Sequence, residues 1–176
     1  MTDDHGVRTA ADTVRIERLL PGPIERLWAY LTESDKRAQW MAAGDMTLSP
    51  GGPVELVFRH QDFAAVDDPV PEKYRSASGE HRLRGRITAC EPPHVLAYTW
   101  DAHSEVRFEL HPRGGQVLLE ITHARLPDVD EVLSVSAGWH AHLAILRARL
   151  EGRALTEGFW ALHTRLEAEY AARLMG

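Results

Sequence analysis

His123 is the residue whose type and position best suit proton transfer. Val117, Leu119 and Ile121 alternate along a predicted strand, and His123 continues the same apolar face. An imidazole titrates near neutral pH and can donate, accept or shuttle a proton. The pattern equally suits a buried histidine held by a structural hydrogen bond. His123 is therefore a candidate general acid or base and a candidate polar anchor for a ligand.

Other titratable residues form no recognisable catalytic or metal-binding motif. His140 and His142 lie two apart on a predicted helix, roughly 200° around it, so they do not converge on one ion. The sequence has no G-x-S-x-G elbow and no glycine-rich phosphate loop. Cys90, the one cysteine, has no evident activating base. We predict no metal site and no cofactor.

Large apolar side chains are the better candidates for a binding site. Ligand pockets are mostly apolar with a few polar anchors, although ordinary cores use the same residue types. The predicted ligand-binding set is Trp40, Phe58, Tyr98, Trp100, Phe108, Leu119, His123, Trp139 and Leu143. The inward orientation of Tyr98 and Trp100 depends on the turn at 101–103, because a turn one residue longer reverses that strand.

Composition and charge exclude several classes of protein. The chain has 176 residues, 44% of them hydrophobic, and a net charge of -6, which disfavours a general nucleic-acid-binding surface. No run of 18 apolar residues is present, so we predict no membrane span. The acidic N-terminus lacks the apolar core of a signal peptide, and we predict a cytoplasmic protein.

One long amphipathic helix and a series of alternating strands must position these residues. The stripe from Val132 to Leu150 has helical spacing, and a second apolar face predicts a helix at 156–174 with Thr156 as its cap. Alternation predicts strands at 13–20, 54–60, 80–91, 95–100, 105–111 and 117–123. The pattern indicates an α+β fold, in which a curved antiparallel sheet grips one long C-terminal helix. Two short helices follow the first strand.

The hairpin at Arg113-Gly114 allows a prediction of strand register. With Pro112 opposite Gly115, apolar residues face apolar residues and opposite charges pair across the strands. The predicted pairs are Leu110 with Val117, Phe108 with Leu119, Val106 with Ile121 and Arg107 with Glu120.

Four segments together resemble a known superfamily. They are VRIER and PIERLWAYLT from 14 to 32 followed by Trp40, GRI with EPPHVLAYTW from 85 to 100, VRFEL with GG and LEITH from 106 to 123, and Gly138-Trp139 with Leu143, Leu146 and Leu150. This order resembles the SRPBCC superfamily (START-like, birch-pollen-allergen-like). Within it, the chain is similar to bacterial homologues of the C-terminal domain of the activator of heat-shock-protein-90 ATPase.

The resemblance covers about residues 12–152 and implies a helix-grip fold with a cavity for an apolar small molecule. It implies no shared catalytic set. Two features depart from the family: the long loop at 61–78, which we place over the mouth of a cavity, and the helix at 156–174. We predict a flexible tail at 1–11, a helix-grip domain at 12–152 and an additional helix at 153–176.

Three functions remain open at this stage. The first is binding of a hydrophobic or aromatic small molecule between sheet and helix. The second is a cyclase- or aromatase-like enzyme that uses His123. The third is a chaperone-linked protein-interaction module. The apolar face of the terminal helix either covers its own domain or seals a homodimer.

Overall fold

A seven-stranded antiparallel sheet forms the frame of the computed structural model, which describes residues 4–64, 66–77 and 79–175. The strands are β1 Val7–Ala10, β2 Thr13–Pro21, β3 Pro53–Phe58, β4 His81–Glu91, β5 Val95–Trp100, β6 Ser104–Arg113 and β7 Gln116–Ala124, in the spatial order β1-β2-β7-β6-β5-β4-β3. The helices are α1 Ile24–Thr32, α2 Ser34–Arg37, α3 Val129–Leu150 and α4 Phe159–Met175. The predicted α+β helix-grip fold is confirmed.

The long helix α3 is packed on one face of the curved sheet. Its 22 residues span about 33 Å. The Asp128 carboxylate accepts a hydrogen bond of 2.9 Å from the backbone N–H of Glu131, which fixes where the helix begins. Alternate residues of β6 and β7 are buried, as a sheet with one covered face requires.

The register of the β6–β7 hairpin is two residues away from the predicted one. Arg113 pairs with Gln116, so the turn is Gly114-Gly115, with Gly114 at φ +64°. The observed partners are Leu119 for Leu110, Ile121 for Phe108, His123 for Val106 and Thr122 for Arg107. A shift of two residues keeps every side chain on its face, so the inward set survives although the predicted pairs are wrong.

Part of the expected N-terminal tail forms an edge strand. Val7 pairs with Arg15 and Arg8 with Val14, which adds β1 to the sheet. The backbone N–H of Gly6 also donates to the hydroxyl of Tyr170 on α4, at 2.7 Å. Residues 1–3 lie outside the described residues.

The terminal helix α4 covers the molecule's own interior. It packs along α3 and buries Phe159, Trp160, Leu166 and Tyr170. Its apolar face is therefore used within the chain, and a homodimer through this helix stays a prediction without that face to support it. No helix in the ranges 4–64, 66–77 and 79–175 combines the length and hydropathy needed to cross a bilayer.

Asp68, in the loop at 61–78, caps the start of α4. Its carboxylate accepts hydrogen bonds from the backbone N–H groups of Trp160 at 2.9 Å and Ala161 at 3.0 Å. The predicted cap Thr156 is wrong, because the helix begins only at Phe159 and this distant carboxylate satisfies its first N–H groups.

Candidate ligand-binding site

A cavity of about 210 Å³ lies between the sheet, the first half of α3 and the start of α4. Histidines and aromatic residues form most of its wall. The lining residues are Phe58, His60, Tyr74, His81, Leu83, Trp100, His123, Glu131, Ser134, Val135, Gly138, Trp139, His142, Phe159, Trp160 and His163. An apolar wall interrupted by a few polar atoms is the usual chemistry of a small-molecule site.

Aromatic rings from four elements meet edge to face around this space. The ring centroids of Trp100 and Trp139 are 5.3 Å apart at an interplanar angle of 61°, and those of Phe58 and Trp100 are 5.7 Å apart. On the α4 side, Phe159 stacks on His60 with a centroid separation of 4.2 Å. Such contacts hold the rings in defined orientations and leave flat apolar surfaces for a ligand.

His123 is held by a continuous chain of hydrogen bonds. The indole N–H of Trp139 donates to its Nδ1 at 3.0 Å, so that nitrogen carries no proton. Nε2 is then the protonated nitrogen and donates to Oγ of Ser104 at 2.9 Å, and this hydroxyl donates to the carbonyl of Trp100 at 2.8 Å. Burial lowers the pKa of His123 to about 4. Both ring nitrogens of the neutral imidazole are thus engaged within the protein.

His142 also has a defined tautomer. Its Nδ1 lies 2.8 Å from the carbonyl oxygen of Trp40 and must donate to it, which leaves Nε2 unprotonated. Burial lowers the pKa of His142 to about 4, against the opposing effect of this hydrogen bond. His140, two residues earlier, points elsewhere, and its Nδ1 lies 2.9 Å from the hydroxyl of Tyr170. The two side chains diverge, as the helical spacing predicted.

Three nitrogens in the cavity wall are buried without a hydrogen-bond partner in the described part of the chain. They are Nδ1 of His60, Nε1 of Trp160 and Nδ1 of His163. Burial lowers the pKa of His60 to about 2, with smaller contributions from His142, His163 and His81. The pKa of His163 is lowered for the same main reason. Buried polar atoms normally find partners, so this group is unusual.

The loop at 61–78 and α4 together form the cover of the cavity. Tyr74 stacks on Trp160 with centroids 5.4 Å apart, and its hydroxyl donates to the carboxylate of Glu167. Asp68 passes so close to Gly158 that an added Cβ would lie 2.3 Å from the carboxyl carbon. The two features that departed from the family pattern therefore form one structural unit.

Four of the nine predicted ligand-binding residues line this cavity, namely Phe58, Trp100, His123 and Trp139. The other five lie in the packed core away from it, namely Trp40, Tyr98, Phe108, Leu119 and Leu143. Trp40 is fully buried and donates its indole N–H to the carbonyl of Tyr30 at 2.9 Å. These five face inward, but they fill space where the prediction placed a ligand.

Sequence reasoning missed most of the α4 side of the cavity. Phe159 and Trp160 were recognised as an apolar face without a known partner, and His142 as the inward histidine of its pair. His60, His81 and His163 carried no signal, because single histidines in loops and on helices are usually solvent-exposed. Only the fold brings them to one place.

A separate group of ligating side chains lies away from the cavity. Glu109, His111 and Glu120 on β6 and β7 have ligand atoms within 4.8 Å of one another. Glu109 is already paired with Arg107 at 2.8 Å. Clusters of this kind are common on protein surfaces, and the absence of a metal site stays a prediction.

Comparison with known proteins defines the class to which this fold and cavity belong. Residues 21–151 match the model of the family described as Activator of Hsp90 ATPase homolog 1-like protein. The chain belongs to this family, a member of the SRPBCC superfamily that the sequence pattern indicated. The match ends before α4, which lies outside the family model.

Solved structures give the same result. A protein from Bordetella parapertussis, determined by solution NMR, is 44% identical, with 97% of this chain and 91% of that chain covered and a TM-score of 0.80. CalU16 from Micromonospora echinospora is 20% identical, with 93% and 88% covered and a TM-score of 0.66. A protein from Enterococcus faecalis is 20% identical, with 97% and 90% covered and a TM-score of 0.67. The last two likenesses show the fold alone. The comparison with curated proteins returns no match.

Proposed function

We propose that this protein binds a small aromatic molecule in the cavity between the sheet, α3 and α4. The observation that carries the proposal is the wall itself, in which Trp100, Trp139, Phe159 and Trp160 surround space that no side chain fills. Burial of a flat apolar ligand against these rings contributes about 25 cal/mol per Å² before the costs of association.

The volume favours a ligand of one or two rings. Pockets for drug-sized ligands measure about 300–1,000 Å³, and this cavity measures about 210 Å³. Neutral imidazoles and indoles line it, and burial also raises the pKa of Glu131 at its rim. A neutral, compact aromatic molecule suits such a wall better than an ion does.

The geometry gives no support to acid–base catalysis by His123. Its Nδ1 accepts from Trp139 and its Nε2 donates to Ser104, so neither nitrogen is available to a substrate without breaking this chain. A pKa near 4 also makes it a weak base at neutral pH. We therefore favour binding over a cyclase-like reaction.

Gly138 offers a direct test of binding. It lies on α3 in the cavity wall, and a Cβ added there would meet no atom within 4 Å. Gly138→Leu should fill the cavity, and Gly138→Ala should add one methyl and leave most of the space. Both substitutions favour helix, by roughly 0.5–1 kcal/mol for alanine. We expect both variants to fold.

Naphthalene is a suitable probe, with binding measured by tryptophan fluorescence and confirmed by calorimetry. The wild type and Gly138→Ala should bind it, and Gly138→Leu should lose at least tenfold in affinity with an unchanged circular dichroism spectrum. Equal binding by all three proteins would place the ligand elsewhere. An absence of binding to the wild type would remove the proposal.

A further inference from the structure

We propose that the α4 end of the cavity recognises a hydroxyl group on the aromatic ligand, held by the indole N–H of Trp160 and by Nδ1 of His163. This inference rests on the proposed function and assigns the chemical class of the ligand. Both residues line the cavity, and their side chains are 4% and 3% exposed. Both nitrogens lack a hydrogen-bond partner among the described residues.

The tautomer of His163 defines what it offers. Its Nε2 lies 3.1 Å from the carbonyl oxygen of Ser134 and must donate to it. Nδ1 of the neutral ring is then an acceptor, and burial lowers the pKa of His163, which keeps the ring neutral. The indole N–H of Trp160 can only donate. The subsite thus presents one donor and one acceptor.

A hydroxyl satisfies both groups, because it accepts from one and donates to the other. The ring centroids of Trp160 and His163 are 5.7 Å apart, so the two side chains border the same small volume. An ether oxygen accepts but has no proton for His163. A carboxylate has no proton to give and carries a charge that this buried, neutral wall does not compensate. The match is a phenol-class ligand.

The subsite is an addition of this chain to the family fold. Trp160 and His163 lie on α4, beyond residue 151, where the family match ends. Asp68 and Tyr74 hold that end of α4 against the cavity through the cap at Trp160 and the stacked rings. A structural role alone does not explain the unpartnered nitrogens, since leaving a buried donor or acceptor unpaired costs about 1–3 kcal/mol.

The test compares four probes that share one ring system: naphthalene, 2-naphthol, 2-methoxynaphthalene and 2-naphthoate. Calorimetry on the full chain at pH 7.5 should show that 2-naphthol binds about tenfold more tightly than naphthalene, since two hydrogen bonds are added. The methyl ether should fall between them, and 2-naphthoate should bind more weakly than naphthalene.

Two conservative variants locate the effect. Trp160→Phe removes an N–H that bonds to nothing in the protein, and His163→Gln keeps an amide donor for Ser134 while it removes Nδ1. Each should reduce the preference for 2-naphthol over naphthalene to about threefold or less. Affinity for naphthalene itself should stay within about twofold of the wild type, which a general loss of structure would not allow.

The outcomes separate the two proposals. Equal binding of naphthalene and 2-naphthol to the wild type would overturn the hydroxyl subsite and leave the aromatic cavity standing. A preference for 2-naphthol that both variants retain would also overturn it, because the hydroxyl would then be bound by other groups. Failure of every probe to bind would remove the proposed function and this inference with it.

Discussion

The two halves of α3 border interiors of different character. Around its second half, Leu143 and Leu146 join Trp40, Tyr98 and Leu119 in a region, here the packed region, where every one of these side chains is at most 1% exposed. Around its first half, Gly138, Trp139 and His142 border the cavity. The same helix thus supports a filled core at one end and an open aromatic chamber at the other.

Polar groups show the same contrast. In the packed region the buried guanidinium of Arg37 donates to the backbone carbonyls of Leu31 at 3.2 Å, Ala42 at 3.0 Å and Gly44. At the cavity, nitrogens of Trp160 and His163 are left without partners in the described residues. A core that serves only stability satisfies its polar atoms, whereas unsatisfied atoms around an empty volume indicate a place for a ligand.

Truncation of a leucine should reveal the contrast most strongly. Leu119→Ala opens a new hole in the packed region and should lower the free energy of unfolding by about 2–5 kcal/mol. Leu83→Ala enlarges space that already exists at the cavity and should cost less than half as much. Urea denaturation followed by tryptophan fluorescence measures both. Equal costs at the two positions would mean that the cavity closes around Leu83.

Two tryptophans provide a matched pair for the polar contrast. Trp40→Phe removes an indole N–H that donates to Tyr30 at 2.9 Å and leaves that carbonyl unpaired, whereas Trp160→Phe removes an N–H without a protein partner. Both changes remove similar volume. Trp40→Phe should therefore destabilise the protein by about 1–2 kcal/mol more than Trp160→Phe. A larger loss for Trp160→Phe would contradict the unpaired state of its N–H.

The buried histidines predict a smaller, pH-dependent effect. The ordinary pKa of His142 is 6.5 and burial lowers it to about 4, so between these values the unfolded chain binds more protons than the folded one. Stability is therefore fully present above pH 6.5 and falls as the pH drops toward 4. His142→Asn retains a donor for Trp40 and does not titrate.

Thermal denaturation of the two proteins between pH 7.5 and 4 measures this effect. The wild type should lose more stability over the range than His142→Asn does, because carboxylates contribute equally to both. Parallel curves would show that His142 is protonated in the folded protein without penalty.

The sequence predicts the fold better than the site, and particular residues show why. Alternation places Phe108 and Leu119 inward whatever their register, so the two-residue error in the hairpin left the sheet face correct. Periodicity reports which side chains face inward but not whether they fill the space between layers. Trp40 and Trp100 look equivalent in sequence, yet one is packed and the other borders the cavity.

The cover of the cavity depends on contacts that leave no local pattern. Asp68 and Trp160 are 92 residues apart, and nothing in either segment predicts that a loop carboxylate replaces Thr156 as the cap of α4. His60 and His163 become neighbours through the same docking of loop and helix. Such sites follow from tertiary packing, which single-sequence periodicity does not describe.

The most direct test of a ligand-binding cavity uses the five tryptophans as reporters. In a ¹H–¹⁵N spectrum titrated with naphthalene, the indole signals of Trp100, Trp139 and Trp160 should shift, since these rings line the cavity. Those of Trp28 and Trp40, which lie outside it, should stay in place. Shifts confined to Trp28 and Trp40, or no shift at saturating naphthalene, would contradict a binding site between the sheet, α3 and α4.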